Sequence, residues 1–264
     1  MKNSIVQGVK TAEFIYHPPK IALTAKRILV KPNLGYPVGP PVTVSLPILT
    51  TVLQTLRHQN PQAEILIVEG VCSPVSLDEI VRRHGIDQIL GDGIRILDAD
   101  TLPLTEYPNL SPQPVRFKSM FAPSLLTEVD CRISIGAFKR TILNGKPLIS
   151  ASLKNLYGLF PRAHYHARSP HSRGQLHRPS VPLILQDVYF CIGHLFDGAV
   201  VDGDRQFISP NWKPDRGESI PLGKVFWGED LISVDREVCN CAGEIIPDYL
   251  DRIDQLRQSK ITPT

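Results

Sequence analysis

The sequence predicts an α/β fold, a mainly parallel sheet with helices on both faces and a long loop insertion. Three observations carry this. Short apolar runs alternate with segments of helical periodicity, polar residues stand where the runs stop, and one long polar stretch, Arg162 to Pro179, interrupts the pattern. Parallel strands are buried on both faces and joined by crossover helices, so they read as continuous apolar runs separated by helical patterns.

Arg27-Ile28-Leu29-Val30 reads as a buried strand that ends at Lys31-Pro32-Asn33, where proline stops pairing and holds the preceding lysine extended. A Gly- and Pro-rich loop follows, Gly35 to Pro41. A helix starts near Ser45 with Leu49, Val52, Leu53 and Leu56 on one face. Glu64 to Val68 is a second strand, closing at Glu69-Gly70. Ser76-Leu77-Asp78-Glu79 has capping-box spacing and opens a helix that Gly85 ends or breaks. Ile94 to Asp98 is a third strand, and Cys131 to Ile135 a fourth that leads into Gly136-Ala137-Phe138-Lys139.

In the second half the alternation widens. Ser180 as cap and Pro182 in the first turn start a helix through Phe196. A strand at Ala199 to Val201 ends at Asp202-Gly203-Asp204, and another at Gly223 to Trp227 ends at Gly228-Glu229-Asp230. The last two helices run from about Ser233 to Ala242 and from Pro247 to Arg257. With no internal repeat or low-complexity linker, the simplest organisation is a single α/β domain over residues 1–264, with 162–264 the stretch that offers a second lobe.

Bulk properties exclude several function classes. A hydrophobic content of 42% in 264 residues is enough to fill a core of that size. The 29 basic and 26 acidic residues are too evenly balanced for a nucleic-acid surface, though compatible with an anionic small molecule. No apolar run is long enough to span a bilayer, and Met1 to Lys10 lacks the apolar core of a secretory signal. A cytoplasmic location is expected. Five scattered cysteines, Cys72, Cys131, Cys191, Cys239 and Cys241, suit reduced, mostly structural thiols. Neither G-x-G-x-x-G after a strand nor G-x-x-x-x-G-K-[ST] occurs, nor does G-x-S-x-G, so Rossmann, P-loop and α/β-hydrolase chemistry lack support. No cofactor is assigned.

The most informative segment is Ser150 to Pro161, SASLKNLYGLFP, which sets Lys154 and Asn155 in an apolar run ahead of Gly158. A lysine there must snorkel, neutralise or meet an anion, because a buried unpaired ammonium costs several kcal/mol. Lys31, Asn33, Glu69, Lys139, Asp202, Glu229 and Asp230 stand at the ends of the expected strands, which in a parallel sheet line the ligand crevice. The plain alternative is that such residues are simply solvated. Between Arg162 and Pro179 lie His164, His166, His171 and His177 among four arginines. This loop admits three readings: metal ligands from His164 and His166, a basic lid over an anion, or a solvated loop without a role. The arginines weigh against a dication, so no metal residue is assigned.

Five collinear segments, ILVKPNL at Ile28 to Leu34, IGAFKRT at Ile135 to Thr141, SLKNLYGLF at Ser152 to Phe160, VVDGD at Val200 to Asp204 and GEDLISVD at Gly228 to Asp235, resemble the domain of unknown function 362 family. The resemblance spans roughly residues 26 to 243. It implies that Lys31, Asn33, Lys139, Lys154, Asn155, Asp202 and Asp235 are the positions to test. Many relatives look like fusions with ferredoxin-type iron–sulfur modules, and this chain has no such cysteine cluster. It also departs from the family after Asp202-Gly203, where DRQFISPNW replaces a glycine-rich stretch.

The expectation is an enzyme acting on a small carboxylate- or phosphate-bearing metabolite by lysine-assisted acid–base chemistry. Lys31 and Lys139 would hold or polarise the anion, with Asn33, His164 and His166 as further binding groups. Lys154 would be the base or electrostatic catalyst, Asn155 would orient the substrate, and Asp202 or Glu229 would complete a proton relay. Lys139, Lys154, Asp202 and Glu229 are thus the catalytic candidates. The alternative is a non-catalytic binding or assembly protein for a metal, a cluster or a metabolite. No nucleic-acid or membrane partner is expected.

Overall fold

The computed structural model describes residues 5–259 apart from 144, 212, 214 and 215; residues 1–4 of the stretch read for a secretory signal lie outside it. The first half contains β1 (Gln7–Lys10), β2 (Arg27–Pro32), α1 (Leu46–Gln59), β3 (Glu64–Glu69), α2 (Leu77–Arg83), β4 (Ile94–Asp98), β5 (Leu104–Pro108), β6 (Ser119–Pro123) and α3 (Leu125–Glu128). The second contains β7 (Cys131–Leu143), β8 (Lys146–Ser150), α4 (Ser152–Asn155), α5 (Arg162–Tyr165), α6 (Val181–Cys191), β9 (Gly198–Ser209), β10 (Glu218–Gly228), α7 (Leu231–Ala242) and α8 (Asp248–Ser259).

One mostly parallel sheet has the order β1-β10-β9-β7-β2-β3-β4, with β8 paired to the end of β7. Strands β9, β7, β2, β3 and β4 run parallel, while β10 and β1 close one edge in antiparallel pairing. From β2 the chain first builds outward through β3 and β4 and then crosses back to β7 on the other side. The order therefore reverses between β2 and β7, and the crevice of an open α/β sheet opens at such a point.

Alternation along the central strands sorts the core into two faces. Ile28, Val30, Ile65 and Ile67 pack with Leu49, Val52 and Leu53 of α1 and Ile80 of α2. Leu29, Leu66 and Val68 belong to the opposite cluster, with Leu185 of α6, Val234 of α7 and Ile253 of α8. Helices therefore cover both faces. Each such side chain, fully buried, contributes about 1.5–3 kcal/mol from removed apolar surface. The Ser76 hydroxyl accepts from Glu79 N, closing one half of the expected capping box.

Several boundaries differ from the sequence expectation. The fourth strand does not stop at Ile135 but continues to Leu143, flanked by β9 on one side and β8 on the other, so Lys139 sits inside a strand. The strand expected at Ala199 to Val201 runs through Asp202-Gly203-Asp204 to Ser209, because its pairing with β10 outweighs the poor strand propensity of those residues. In β10 the register shifts between Pro221 and Lys224, with Gly223 at φ +66°, a bulge that admits proline into the ladder. The helix expected through Phe196 ends at Cys191. Strands β1 and β8 and the separate β5–β6 hairpin were not anticipated. No described helix is long and apolar enough to cross a membrane.

Candidate functional site

The apolar run of β2 ends in a lysine that the fold buries completely. Lys31 Nζ lies 2.7 Å from Glu69 Oε1, at the end of the neighbouring strand β3, and the two side chains are only 1% and 2% exposed. The ammonium also donates to Pro32 O at 2.8 Å and to Asn155 Oδ1 at 3.1 Å. An ammonium has three donors, and these partners occupy all of them. Burial lowers the Lys31 pKa and the Glu69 carboxylate opposes that shift. Glu69 is equally engaged, accepting from Leu34 N at 2.5 Å and Gly70 N at 2.8 Å.

Asn155 ties this pair to the next strand, donating to Lys31 O at 2.7 Å and to Ser134 Oγ of β7 at 3.1 Å. It reaches that position because α4 is a single turn anchored at its start by Asp235 of α7. That buried carboxylate accepts from Ser152 N at 2.8 Å, Ser152 Oγ at 2.5 Å and Leu153 N at 3.1 Å. Burial raises its pKa to about 6 against those donors. Gly158, three residues beyond Asn155, packs on the ion pair: a Cβ there would overlap Glu69 Oε1 and stand 2.8 Å from Lys31 Nζ. The Lys-Asn-Leu-Tyr-Gly order thus reflects one asparagine and one glycine meeting the same buried pair.

Two further lysines approach this group without a carboxylate of their own. Lys139, half-buried in β7, donates to Val42 O at 2.7 Å and Asn33 Oδ1 at 3.2 Å. Its pKa is lowered to about 7, first by burial, then by the charges of Lys154 and Lys31, with Glu69 and Cys72 opposing. Lys154, half-buried on α4, places Nζ 5.2 Å from the centroid of the Tyr157 ring. Among the described residues it has neither a hydrogen bond nor an ion pair, and burial lowers its pKa.

The polar loop after Phe160 supplies residues that the sequence did not single out. Arg173 is 2% exposed and donates to Phe160 O at 2.5 Å, Val71 O at 2.9 Å and Cys72 Sγ at 3.1 Å. Its other nitrogen faces Asp100 at 3.3 Å and Gly158 O at 3.3 Å. Arg162 bonds the same Asp100 through Nε at 2.7 Å. Neither arginine stood out among its charged neighbours, since burial of Arg173 depends on acceptors from several separate segments. Glu69 was visible at a strand end, but its pairing with Lys31 was not.

The other expected site residues form no hydrogen bond or ion pair with these lysines among the described residues. Asp202 accepts from Ser45 N at 2.9 Å and Asp204 N at 3.2 Å, serving the start of α1 and its own strand. Glu229 is exposed in the turn after β10. His164 is exposed and packs on Phe121 with ring centroids 5.0 Å apart, while His166 Nδ1 pairs with Ala167 O at 2.9 Å. Among the described residues no three His, Cys, Asp or Glu side chains are grouped to hold a metal ion. Burial pushes the Cys131, Cys191 and Cys239 thiols up to about 12.

A mostly parallel, doubly covered sheet with a lysine-rich group at its switch point defines the class of protein by fold and by site. The chain belongs to the Domain of unknown function (DUF362) family, whose model matches residues 28–240. That stretch contains Lys31, Lys139, Lys154, Asn155 and Asp235. No curated protein matches the chain.

Proposed function

We propose that the protein is an enzyme that binds a small carboxylate- or phosphate-bearing metabolite between Lys139 and Lys154 and acts on it by acid–base chemistry. One observation carries the reading: two neighbouring, half-buried lysines at the strand-end crevice have no carboxylate bonded to either among the described residues. Desolvated cations held side by side repel each other, and an anion between them relieves both penalties. Lys154 supplies the positive charge. Lys139, with a pKa of about 7, is divided between amine and ammonium at neutral pH and so can both take and return a proton. Lys31, Glu69 and Asn155 hold the strand ends in place rather than touch the ligand, since their polar atoms are already engaged.

A second reading, a non-catalytic binder of the same anion, is favoured by the engagement of Asp202 with Ser45 N and Asp204 N and by the exposure of Glu229, neither of which is bonded to a lysine among the described residues. One experiment separates the two. A panel of carboxylates and phosphates is titrated into wild type and Lys154→Met, and every compound that binds is then incubated with protein in D2O and followed by NMR. Acid–base catalysis replaces ligand C–H protons with deuterium in wild type and not in Lys139→Met. Binding without exchange supports the binder, and binding indifferent to Lys154→Met refutes both.

A further inference from the structure

We infer that Cys72 is the nucleophile of the lysine site, a thiol that bonds covalently to small carboxylates carrying an electrophilic carbon. The inference rests on the anion-site reading above. Cys72 follows the end of β3, three residues beyond Glu69, and its N–H donates to Gly35 O at 2.8 Å in the loop after β2. It therefore belongs to the same strand ends as Lys31 and Glu69. The residue is partly exposed, whereas Cys131, Cys191 and Cys239 are buried.

Four cations act on this sulfur. Arg173 Nη1 donates to Cys72 Sγ at 3.1 Å. Lys31, Lys139 and Lys154 each have a lowered pKa in which burial is the largest cause and the charge of Cys72 opposes it, so the thiol lies within electrostatic reach of all three ammonium groups. Lys31 is matched by Glu69, and Arg173 by Asp100. Lys139 and Lys154 have no bonded carboxylate among the described residues, and Lys154 Nζ has no hydrogen bond there either. A cleft lined by one sign of charge concentrates counter-ions, and partly exposed thiols in electropositive surroundings are the reactive ones. An anion drawn to the two lysines thus arrives beside a nucleophile. With an α,β-unsaturated carboxylate, the sulfur bonds the β-carbon, the π pair moves to the α-carbon, and the thiol proton ends there. With iodoacetate, the S–C bond forms as the C–I bond breaks, iodide leaves with the electron pair, and the thiol proton passes to solvent. Neither step needs an oxidant.

Iodoacetate and its neutral counterpart iodoacetamide are reacted separately with the full chain at neutral pH, and alkylation of each cysteine is followed by peptide mass spectrometry. Cys241, also partly exposed and with Lys224 Nζ 3.3 Å from its sulfur, is the internal standard. The ratio of the iodoacetate rate to the iodoacetamide rate is expected to be roughly tenfold or more higher at Cys72 than at Cys241, the scale of steering by a charged cleft. Added potassium chloride should reduce the excess by screening. Lys154→Met should remove most of it and Lys154→Arg should keep it. Lys139→Met should lower it in part, since Lys139, at about 7, is only partly charged at neutral pH. None of these variants should move the ratio at Cys241. No alkylation of Cys72 by iodoacetate, or a ratio there no higher than at Cys241, would overturn the inference. Calorimetric titration of acetate and phosphate into wild type and Lys154→Met then reports on the anion site separately. Binding that depends on Lys154 leaves that site standing, and absence of binding removes it as well. An excess at Cys72 that survives both methionine variants would assign the steering to Arg173, sever the thiol from the lysines and defeat the inference.

Discussion

Lys31 and Glu69, ends of two adjacent parallel strands, form an ion pair at 2.7 Å with almost no solvent exposure on either side. Desolvation makes such a pair a weak source of net stability, yet breaking it leaves an uncompensated buried charge. Lys31→Met is expected to cost about 3–5 kcal/mol in urea unfolding. Glu69→Gln should be comparably destabilising, because the amide offers one acceptor where Leu34 N and Gly70 N now use both carboxylate oxygens. In the double variant the loss should fall well short of the sum. A Lys31→Met change under about 1 kcal/mol would contradict the pairing.

At Gly158 the added methyl of alanine has no room, since it meets Glu69 Oε1 and Lys31 Nζ. Helix propensity alone would make the substitution mildly favourable. The expected result is instead a loss of about 1–3 kcal/mol, the usual cost of overpacking a buried site. Thermal unfolding of Gly158→Ala reads it directly.

Lys139 imposes a pH dependence whose sign follows from the lowered value. The unfolded chain, with lysine near 10.5, binds more protons than the folded chain between about pH 7 and 10.5. Stability therefore rises with pH across that window and the full penalty remains below it. Lys139→Met should flatten the rise and be at least as stable as wild type at neutral pH, by a margin on the order of 2–4 kcal/mol before its lost hydrogen bonds are counted. Chemical unfolding of both proteins from pH 6.5 to 9.5 tests this, and parallel curves would disprove it.

Asp235 gives the opposite slope. Its folded value, raised to about 6, means that this group's contribution is present at pH 4 and is lost as pH rises through 6. Asp235→Ala also strands Ser152 N and Leu153 N at the start of α4. An expected cost of about 2–4 kcal/mol follows from two buried donors left without acceptors. Hydrogen exchange should localise the effect to those two amides.

What was legible in the sequence follows from what is local. Ile65 to Val68 and Ile28 to Val30 read as buried strands because every position is apolar, and the Ser76 cap is written within four residues. Lys154 and Asn155 stood out because they break an apolar run. Lys139 looked like a strand-end residue because nothing nearby reveals that β8 and β9 extend the ladder on both sides. The β5–β6 hairpin was missed because its two short strands are joined by a proline- and serine-containing stretch without a tight turn. Glu69 and Arg173 acquire their significance only from partners that lie far away along the chain.

Asp100 has a role larger than either of its ion pairs suggests. By receiving Arg162 at the entry to the polar loop and Arg173 near its exit, one carboxylate fastens both ends of that loop to a single point beside β4. His164, His166 and His171 lie on the chain between them, so that segment closes back on one carboxylate. The segment from Arg162 to Arg173 is thus held at both ends by a residue that bonds neither Lys139 nor Lys154.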